Sequence, residues 1–224
     1  MGVPLIFSAK SLKLLALLSM AIDHTGKALF PGLLWPVCIG RLAFPIFSFL
    51  LAEGFFHTRN PRAYGMRLLG LALLSELPFR LLFPVTGRLT NVIWTLLFSF
   101  LLLCLLDWGQ KKGRGAWFLL ALCLLFFWLG ESVGCDYGGA GILLGPLFAA
   151  TRAKETALVR FVGLATFSLW SCQTPLLAFC QTAAFFPIAC YAPIAPPKTA
   201  LWRWGTYLFY PVHLVCLAAL AGKL

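Results

Sequence analysis

The chain is dominated by apolar segments that are each close to the length of a membrane-spanning helix. Nine such segments fall at residues 12–30, 39–56, 64–84, 91–107, 116–131, 138–150, 156–171, 174–191 and 204–221. A helix needs about 20 residues to cross a bilayer, although segments inside a bundle are often shorter. Gly and Pro clusters separate the segments, and such clusters end helices. The sequence therefore predicts an all-α, polytopic integral membrane helix bundle with about nine transmembrane helices.

The composition excludes a soluble globular protein. Charged residues make up 11% of the 224 positions and hydrophobic residues 61%, whereas soluble domains contain about 25% charged residues. No polar stretch is long enough to form a separate soluble domain. We therefore expect residues 1–224 to form a single membrane-embedded domain, with the first apolar segment serving as a span and not as a cleaved signal peptide.

The net charge of +11 is interpreted as membrane topology. With nine spans and a cytoplasmic N-terminus, thirteen of the eighteen Lys and Arg residues lie on the inner side and five on the outer side. Basic residues collect on the cytoplasmic side of membrane proteins. We therefore expect a multi-pass protein of the bacterial inner membrane with its N-terminus in the cytoplasm. No nucleic-acid-binding motif accompanies the charge, so we expect no nucleic-acid partner.

The eight cysteines do not form a recognisable metal site. They are scattered, without a CxxC pair, and no Cys/His cluster has the spacing of metal ligands. Most lie in apolar segments, where a thiol behaves as a small hydrophobic group. We expect no metal.

The first span carries three polar groups that a simple anchor would not need. Asp23, His24 and Lys27 lie well inside it. An Asp or Lys at the centre of a membrane helix costs about 2.5–3.5 kcal/mol on insertion scales, and ionisable groups kept there are usually functional. His24 is therefore the first candidate for a functional side chain, the alternative being a hydrogen-bonded structural histidine.

Acids precede bases by four residues at three places, which puts both groups on one face of a helix. The pairs are Asp23 with Lys27, Glu53 with His57, and Glu76 with Arg80. One interpretation is that each acid neutralises its own partner. Adjacent helical residues point about 100° apart, so Asp23 is poorly placed to orient His24. The candidate partners of His24 on other helices are Glu53, Glu76, Arg41, Tyr210 and His213.

The last span contains a second histidine next to a proline. Pro211 removes one helical hydrogen bond, and Tyr210 and His213 lie three residues apart on one face. They are interpreted either as a polar wall opposite His24 or as an aromatic belt residue beside a satisfied histidine. The run Gly138–Gly141 lacks the spacing of a phosphate-binding loop and favours close helix packing or a tight start of the sixth span.

A basic cluster follows the second span and predicts a phosphate-binding surface. It comprises His57, Arg59, Asn60, Arg62 and Arg67. Guanidinium groups match the geometry of phosphate. The alternative is an ordinary basic loop on the cytoplasmic side.

Several motifs together resemble one protein family. They are Leu17–Gly26 with Asp23-His24-Thr25-Gly26 at its end, Leu29-Phe30-Pro31, Ile39–Phe55, His57-Thr58-Arg59-Asn60, Ser75-Glu76-Leu77-Pro78-Phe79, Asn91-Val92-Ile93, Asp136-Tyr137-Gly138 and Leu208–Leu214. With these motifs the chain resembles the TraX family, which acetylates the N-terminal residue of F-type conjugative pilin and is similar to the wider transmembrane acyltransferases. The resemblance places the family's Asp-His-x-Gly motif on Asp23, His24 and Gly26, and its arginine motifs on Arg41 and Arg59.

The resemblance implies an acetyl-CoA-dependent N- or O-acetyltransferase. Acetyl-CoA from the cytoplasm would be the co-substrate, and a peptide N-terminus such as that of pilin, or a glycan hydroxyl, the acceptor. A histidine suits the role of general base near neutral pH. Our hypothesis gives this role to His24, charge stabilisation to Arg41 or Tyr210, and positioning to Glu53 or His213. The basic cluster would bind the phosphates of CoA.

Two other functions remain open from the sequence. The same buried Asp, Glu and His residues are typical of a proton-coupled transporter or permease. They also suit a non-catalytic assembly factor in which the charge pairs only hold helices together. Acetyl-CoA turnover separates the first function from both of these.

Overall fold

The computed structural model describes residues 6–83, 91–194 and 199–223. Two basic residues of the topology count, Arg88 and Lys198, lie outside these ranges. Apart from one isolated bridge between Phe7 and Tyr191, the described residues contain no β-structure. They form eleven α-helices and one short 3-10 helix.

The helices are α1 (Ala9–Leu29), α2 (Leu34–Gly40), α3 (Ala43–His57), α4 (Pro61–Leu82), α5 (Val92–Lys111), α6 (Ala116–Val133), α7 (Gly138–Ala150), α8 (Ala157–Ser171), α9 (Pro175–Thr182), α10 (Phe185–Ala189) and α11 (Ala200–Leu220). Within the described residues, seven of the nine predicted spans coincide with one helix each. The second span, 39–56, begins in the last two residues of α2 and continues through α3, and the eighth is α9 followed by α10. The prediction of an all-helical membrane bundle is confirmed.

Three segments are long and apolar enough to cross a membrane by length and composition alone: Leu34–His57, Val92–Lys111 and Ala116–Val133. Helices α1 and α4 are equally long but carry internal charges. Those charges are paired or buried against other helices, as described below. The bundle therefore combines plain apolar spans with helices that carry polar groups in their interior.

Both broken spans are interrupted four residues before a proline. Pro45 lacks the N–H that would bond the Arg41 carbonyl, and Pro187 stands in the same relation to Ala183, whose carbonyl accepts from Phe186 N instead (3.2 Å). A proline ring also crowds the carbonyl four residues back, which bends or breaks the helix. Arg41 lies at the break at residues 41–42, directly after Gly40, which packs against Asp23 of α1. We call the end of the bundle at which α1 ends the distal end. The opposite, proximal end is where α1 begins and α3 ends.

The helices pack through a few close approaches. Gly139 at the start of α7 lies against the backbone of α6: a Cβ placed on Gly139 would fall 2.6 Å from the Phe127 Cα, and one placed on Gly130 would fall 2.8 Å from the Gly139 backbone nitrogen. The glycine run therefore permits close helix packing, as the sequence predicts. Elsewhere α6 is largely exposed, with only Phe126 and Gly130 buried.

Replacing Gly139 with alanine is expected to lower the melting temperature of the detergent-purified protein, because the new methyl group must push α6 and α7 apart. Overpacking of this kind costs about 1–3 kcal/mol. Gly70→Ala on α4 is the matched control, since open space surrounds that position and alanine favours the helix. A Gly139→Ala variant that melts at or above the wild-type temperature would contradict this account of the contact.

Candidate functional site

Two histidines from the first and last long helices meet inside the bundle. His24 Nδ1 and His213 Nε2 are 2.8 Å apart. The two rings are nearly coplanar, with an interplanar angle of 4° and a centroid separation of 5.1 Å. Of the five candidate partners of His24, the structure therefore selects His213 as the hydrogen-bond partner. This contact joins α1 to α11 across 189 residues of chain.

A backbone carbonyl fixes the direction of the hydrogen bond between the two histidines. His213 Nδ1 lies 2.9 Å from the Phe209 carbonyl oxygen, which can only accept, so this nitrogen carries a hydrogen. In a neutral ring, His213 Nε2 is then the acceptor and receives the hydrogen on His24 Nδ1. The remaining nitrogen of His24, Nε2, keeps its lone pair. Hence His24 is held in the tautomer that a general base requires.

The surroundings of His24 are aromatic and exclude water. The His24 side chain is buried, with 8% exposure. Its ring centroid lies 5.3 Å from that of Phe83, 6.1 Å from that of Tyr210 and 6.4 Å from that of Phe79. Low polarity around a reacting group strengthens each electrostatic interaction that it makes. The arrangement can hold a base and shield a developing charge.

A cavity of about 760 Å³ extends into the bundle from the proximal end. On α1 its lining runs from Ala9 to Met20, and on α11 from Trp202 to Tyr210. At 1.5 Å per helical residue, the α1 lining alone spans about 17 Å. His24 does not line this cavity; it lies one helical turn beyond Met20. Tyr210 lines the cavity, and its ring centroid lies 6.1 Å from that of His24.

Tyr210 occupies a central position between the cavity and the histidines. The residue lines the cavity, is 3% exposed, and its hydroxyl has no hydrogen-bond partner among the described residues. Its ring centroid lies 5.6 Å from that of His213. A buried hydroxyl without a partner costs about 1–3 kcal/mol. It is therefore a donor that a bound molecule can use.

Three basic side chains line the proximal part of the cavity: Lys13, His57 and Arg59. Lys13 Nζ lies 3.5 Å from the Thr206 hydroxyl and 5.6 Å from the centroid of the Tyr207 ring. Sequence reasoning did not identify Lys13. Its spacing of eleven residues from His24 is close to three helical turns, so the two residues share one face of α1. That spacing is the signal that could have revealed it.

Glu53 also lines the cavity, but its partner differs from the one suggested by sequence spacing. Its carboxylate accepts from Arg152 Nε at 2.7 Å and Nη2 at 3.2 Å, and the Arg152 guanidinium lies 4.3 Å from the Phe56 ring centroid. The His57 ring instead bonds the Glu53 backbone carbonyl at 2.7 Å. The interpretation of Glu53 with His57 as an ion pair is therefore wrong, because a cation 99 residues away reaches the carboxylate.

The other two predicted ion pairs are present. Lys27 Nζ lies 2.6 Å from Asp23 Oδ2, and Arg80 Nε lies 2.7 Å from Glu76 Oε1. Glu76 also accepts from the Asn91 amide at 2.5 Å and the Trp94 indole at 2.9 Å. Asp23 and Glu76 are thus engaged by neighbouring donors, whereas His24 bonds His213.

The rest of the predicted basic cluster does not line the cavity. The Asn60 side chain caps α4 by accepting from Ala63 N at 2.9 Å. Arg62 is exposed at the proximal end, and the Arg67 guanidinium lies 5.5 Å from the Tyr64 ring centroid. Only His57 and Arg59 of the five residues line the cavity.

Arg41 belongs to a separate polar group at the distal end. Its guanidinium lies near the Tyr137 hydroxyl and interacts electrostatically with Asp23. Asp136 precedes Tyr137 in the turn between α6 and α7 and is exposed. No group of His, Cys, Asp and Glu able to hold a metal ion occurs in the described part of the chain.

The similarity of the chain to known proteins shows its family. The TraX protein family matches residues 8–221, which covers both histidines, the cavity and the distal polar group. A curated relative, the probable fimbrial assembly protein FimC of serogroup H1 from Dichelobacter nodosus, is 28% identical over 247 aligned residues that cover 95% of each chain. No solved structure matches the chain. The match to the family extends over nearly the whole bundle, and the chain belongs to the TraX family.

Proposed function

We propose that this protein is a membrane-embedded acyltransferase that moves an acetyl group from acetyl-CoA to an amine, such as a peptide N-terminus, or to a hydroxyl group. The observation that carries the proposal is the chain from the Phe209 carbonyl through His213 to His24. It leaves His24 Nε2 as a free base in a water-excluding site. Membership of the TraX family and similarity to a fimbrial assembly protein favour a pilin or fimbrial subunit as the acceptor.

The reaction needs one base and one oxyanion donor. The acceptor nitrogen or oxygen attacks the thioester carbonyl carbon while His24 Nε2 removes its proton. The carbonyl oxygen becomes an oxyanion, and the buried Tyr210 hydroxyl, which lines the cavity, would donate a hydrogen bond to it. The carbon–sulfur bond then breaks, and the imidazolium returns the proton to the CoA thiolate. The products are the acetylated acceptor and CoA.

The cavity suits a long, polyanionic thioester. Its basic residues Lys13, His57 and Arg59 lie at the proximal end, and the lining becomes apolar towards Leu17 and Met20. Phosphates of CoA would bind the cations, and the pantetheine arm would run about 17 Å along α1. The Tyr210 side chain would have to rotate for the thioester to reach His24. This orientation puts the proximal end and the N-terminus in the cytoplasm of a bacterial inner-membrane protein, as the charge distribution predicts.

The direct test is acetyl-CoA turnover by the purified protein in liposomes. Thiol release that depends on an amine or hydroxyl acceptor, together with an acetyl group found on the acceptor by mass spectrometry, is expected. Absence of both, combined with substrate-dependent proton flux that needs no CoA, would overturn the proposal in favour of a transporter.

Removing the cavity lysine is expected to weaken acetyl-CoA binding. A hydrogen bond to a charged group contributes about 1.5–3 kcal/mol, so Lys13→Met should raise the KM for acetyl-CoA about tenfold or more while kcat changes little. Lys112→Met is the matched control, because Lys112 is exposed at the same end of the bundle and does not line the cavity. An unchanged KM in Lys13→Met would remove Lys13 from the donor site.

A further inference from the structure

The donor cavity contains an acid close to its basic residues. Among the described residues that line the cavity, Glu53 is the only Asp or Glu, and it stands with Lys13, His57 and Arg59. Its position on α3 is four residues before His57, so the two lie on one face of the helix near the proximal end. A bare carboxylate there would repel the phosphate groups that the cations attract.

Arg152 binds both oxygens of this carboxylate. Its Nε lies 2.7 Å from Glu53 Oε1 and its Nη2 lies 3.2 Å from Glu53 Oε2, which is a bidentate ion pair. The Glu53 side chain is 9% exposed and that of Arg152 is 39% exposed, so the guanidinium lies on the solvent side of the carboxylate. Arg152 itself is not among the described residues that line the cavity. It therefore acts on the cavity through Glu53.

The turn that carries Arg152 is held by a second arginine. The Arg160 guanidinium on α8 donates to the Thr151 carbonyl and, at 3.4 Å, to the Ala153 carbonyl. The Thr156 hydroxyl also donates to the Ala153 carbonyl at 2.7 Å. The last carbonyls of a helix lack partners within it, and a basic side chain can satisfy them. The backbone on both sides of Arg152 is thus fixed before any ligand binds.

We infer that Arg152 is a positioning residue for the donor, and that its pairing with Glu53 makes the cavity selective for polyanionic thioesters over uncharged ones. The ion pair has no net charge, so the cations Lys13 and Arg59 determine the sign of the proximal lining. Without Arg152, the Glu53 carboxylate would offset one of these cations and oppose the phosphates of the donor. A thioester without phosphates would be little affected. The inference rests on the proposed function for the identity of the donor.

Two other roles of the ion pair lead to different expectations. If Arg152 only holds α3 against the end of α7, its loss weakens the binding of charged and uncharged donors alike. If Arg152 contacts a phosphate directly, its loss weakens the binding of a charged donor even when residue 53 carries no charge. Neutralisation of Glu53 alone predicts an effect that needs both the donor phosphates and the carboxylate.

The test is isothermal titration calorimetry on the full-length protein in nanodiscs of uncharged lipid, with CoA and with phosphate-free pantetheine as ligands. Arg152→Met is expected to weaken CoA binding about tenfold or more, since juxtaposed like charges are strongly unfavourable, and pantetheine binding less than twofold. In the Glu53→Gln background, Arg152→Met is expected to change CoA binding less than twofold. Lys111→Met is the matched control, because it also leaves a carboxylate, that of Asp107, without its cation.

Each outcome bears on a different statement. Equal losses for CoA and pantetheine, or no loss for either, overturn the selectivity role of Arg152. A tenfold loss of CoA binding that persists in the Glu53→Gln background also overturns it, and this comparison does not need the single Arg152→Met variant to fold. A wild type that does not bind CoA overturns the inference together with the donor site. If the binding results are as expected but no acetyl transfer occurs, the role of Arg152 stands and the proposed acetyltransferase function fails.

Discussion

The His24→Asn variant is expected to lose about three orders of magnitude in the rate of acetyl transfer, since a positioned general base contributes about 10²–10⁴-fold. Asparagine preserves a polar side chain and can still donate to His213 Nε2, but it has no basic nitrogen to replace His24 Nε2. Acceptor attack must then proceed without proton removal. The measurement is kcat with saturating acetyl-CoA and acceptor, on protein that elutes and melts like the wild type.

A second result accompanies this loss if His24 acts as a base. The KM for acetyl-CoA should stay near its wild-type value, because His24 does not line the donor cavity and the effect falls on the transition state. Thr25→Asn is the matched control: it introduces the same side chain one position along α1, at a residue outside the site. A His24→Asn variant that transfers acetyl at the wild-type rate would reject the assignment of the base.

The His213→Phe variant is expected to lower kcat about a hundredfold, which is less than the loss of the base itself. Phenylalanine can keep the stacking on Phe209, whose ring centroid lies 5.1 Å from that of His213 at an interplanar angle of 16°. It cannot accept the hydrogen on His24 Nδ1. The ring of His24 then loses both its orientation and its tautomer. His213 is thus a positioning residue, and its loss should also change the shape of the rate–pH profile.

The double variant tests whether His213 acts only by positioning His24. His24→Asn combined with His213→Phe should be no slower than His24→Asn alone, because groups that act as a unit are not additive. Val212→Phe is the control, since it adds the same ring at the adjacent position, which is exposed. If the two losses multiplied, His213 would have a role that does not pass through His24.

Much of the secondary structure could be predicted because it depends on local properties of the chain. Apolar segments of sufficient length become helices in a membrane, where backbone groups must be bonded within the helix. The positions of helix breaks were harder to predict. Pro45 and Pro187 each follow a break, whereas Pro78, Pro146 and Pro211 lie inside continuous helices. A proline frees a carbonyl in every case, and the neighbouring helices decide whether the chain bends or continues.

In the candidate site, too, local features could be predicted and contacts between helices could not. The sequence identified His24 as a costly polar group in a membrane helix, and the four-residue spacing correctly paired Asp23 with Lys27 and Glu76 with Arg80. It could not select His213 from five candidate partners, and it assigned Glu53 to His57 when Arg152 binds the carboxylate. It also missed Lys13, whose role depends on a cavity formed by several helices.

The sequence by itself determined that this chain is a helical membrane bundle of the TraX family with a histidine in its first span. The tertiary structure alone decided which groups meet: His24 with His213, and Glu53 with Arg152. The physical reason is that a sequence pattern describes only neighbours that are close along the chain. Spacing along a helix fixes the neighbours of a side chain three or four residues away, whereas contacts between helices depend on close approaches such as Gly139 on Phe127, which no local pattern specifies.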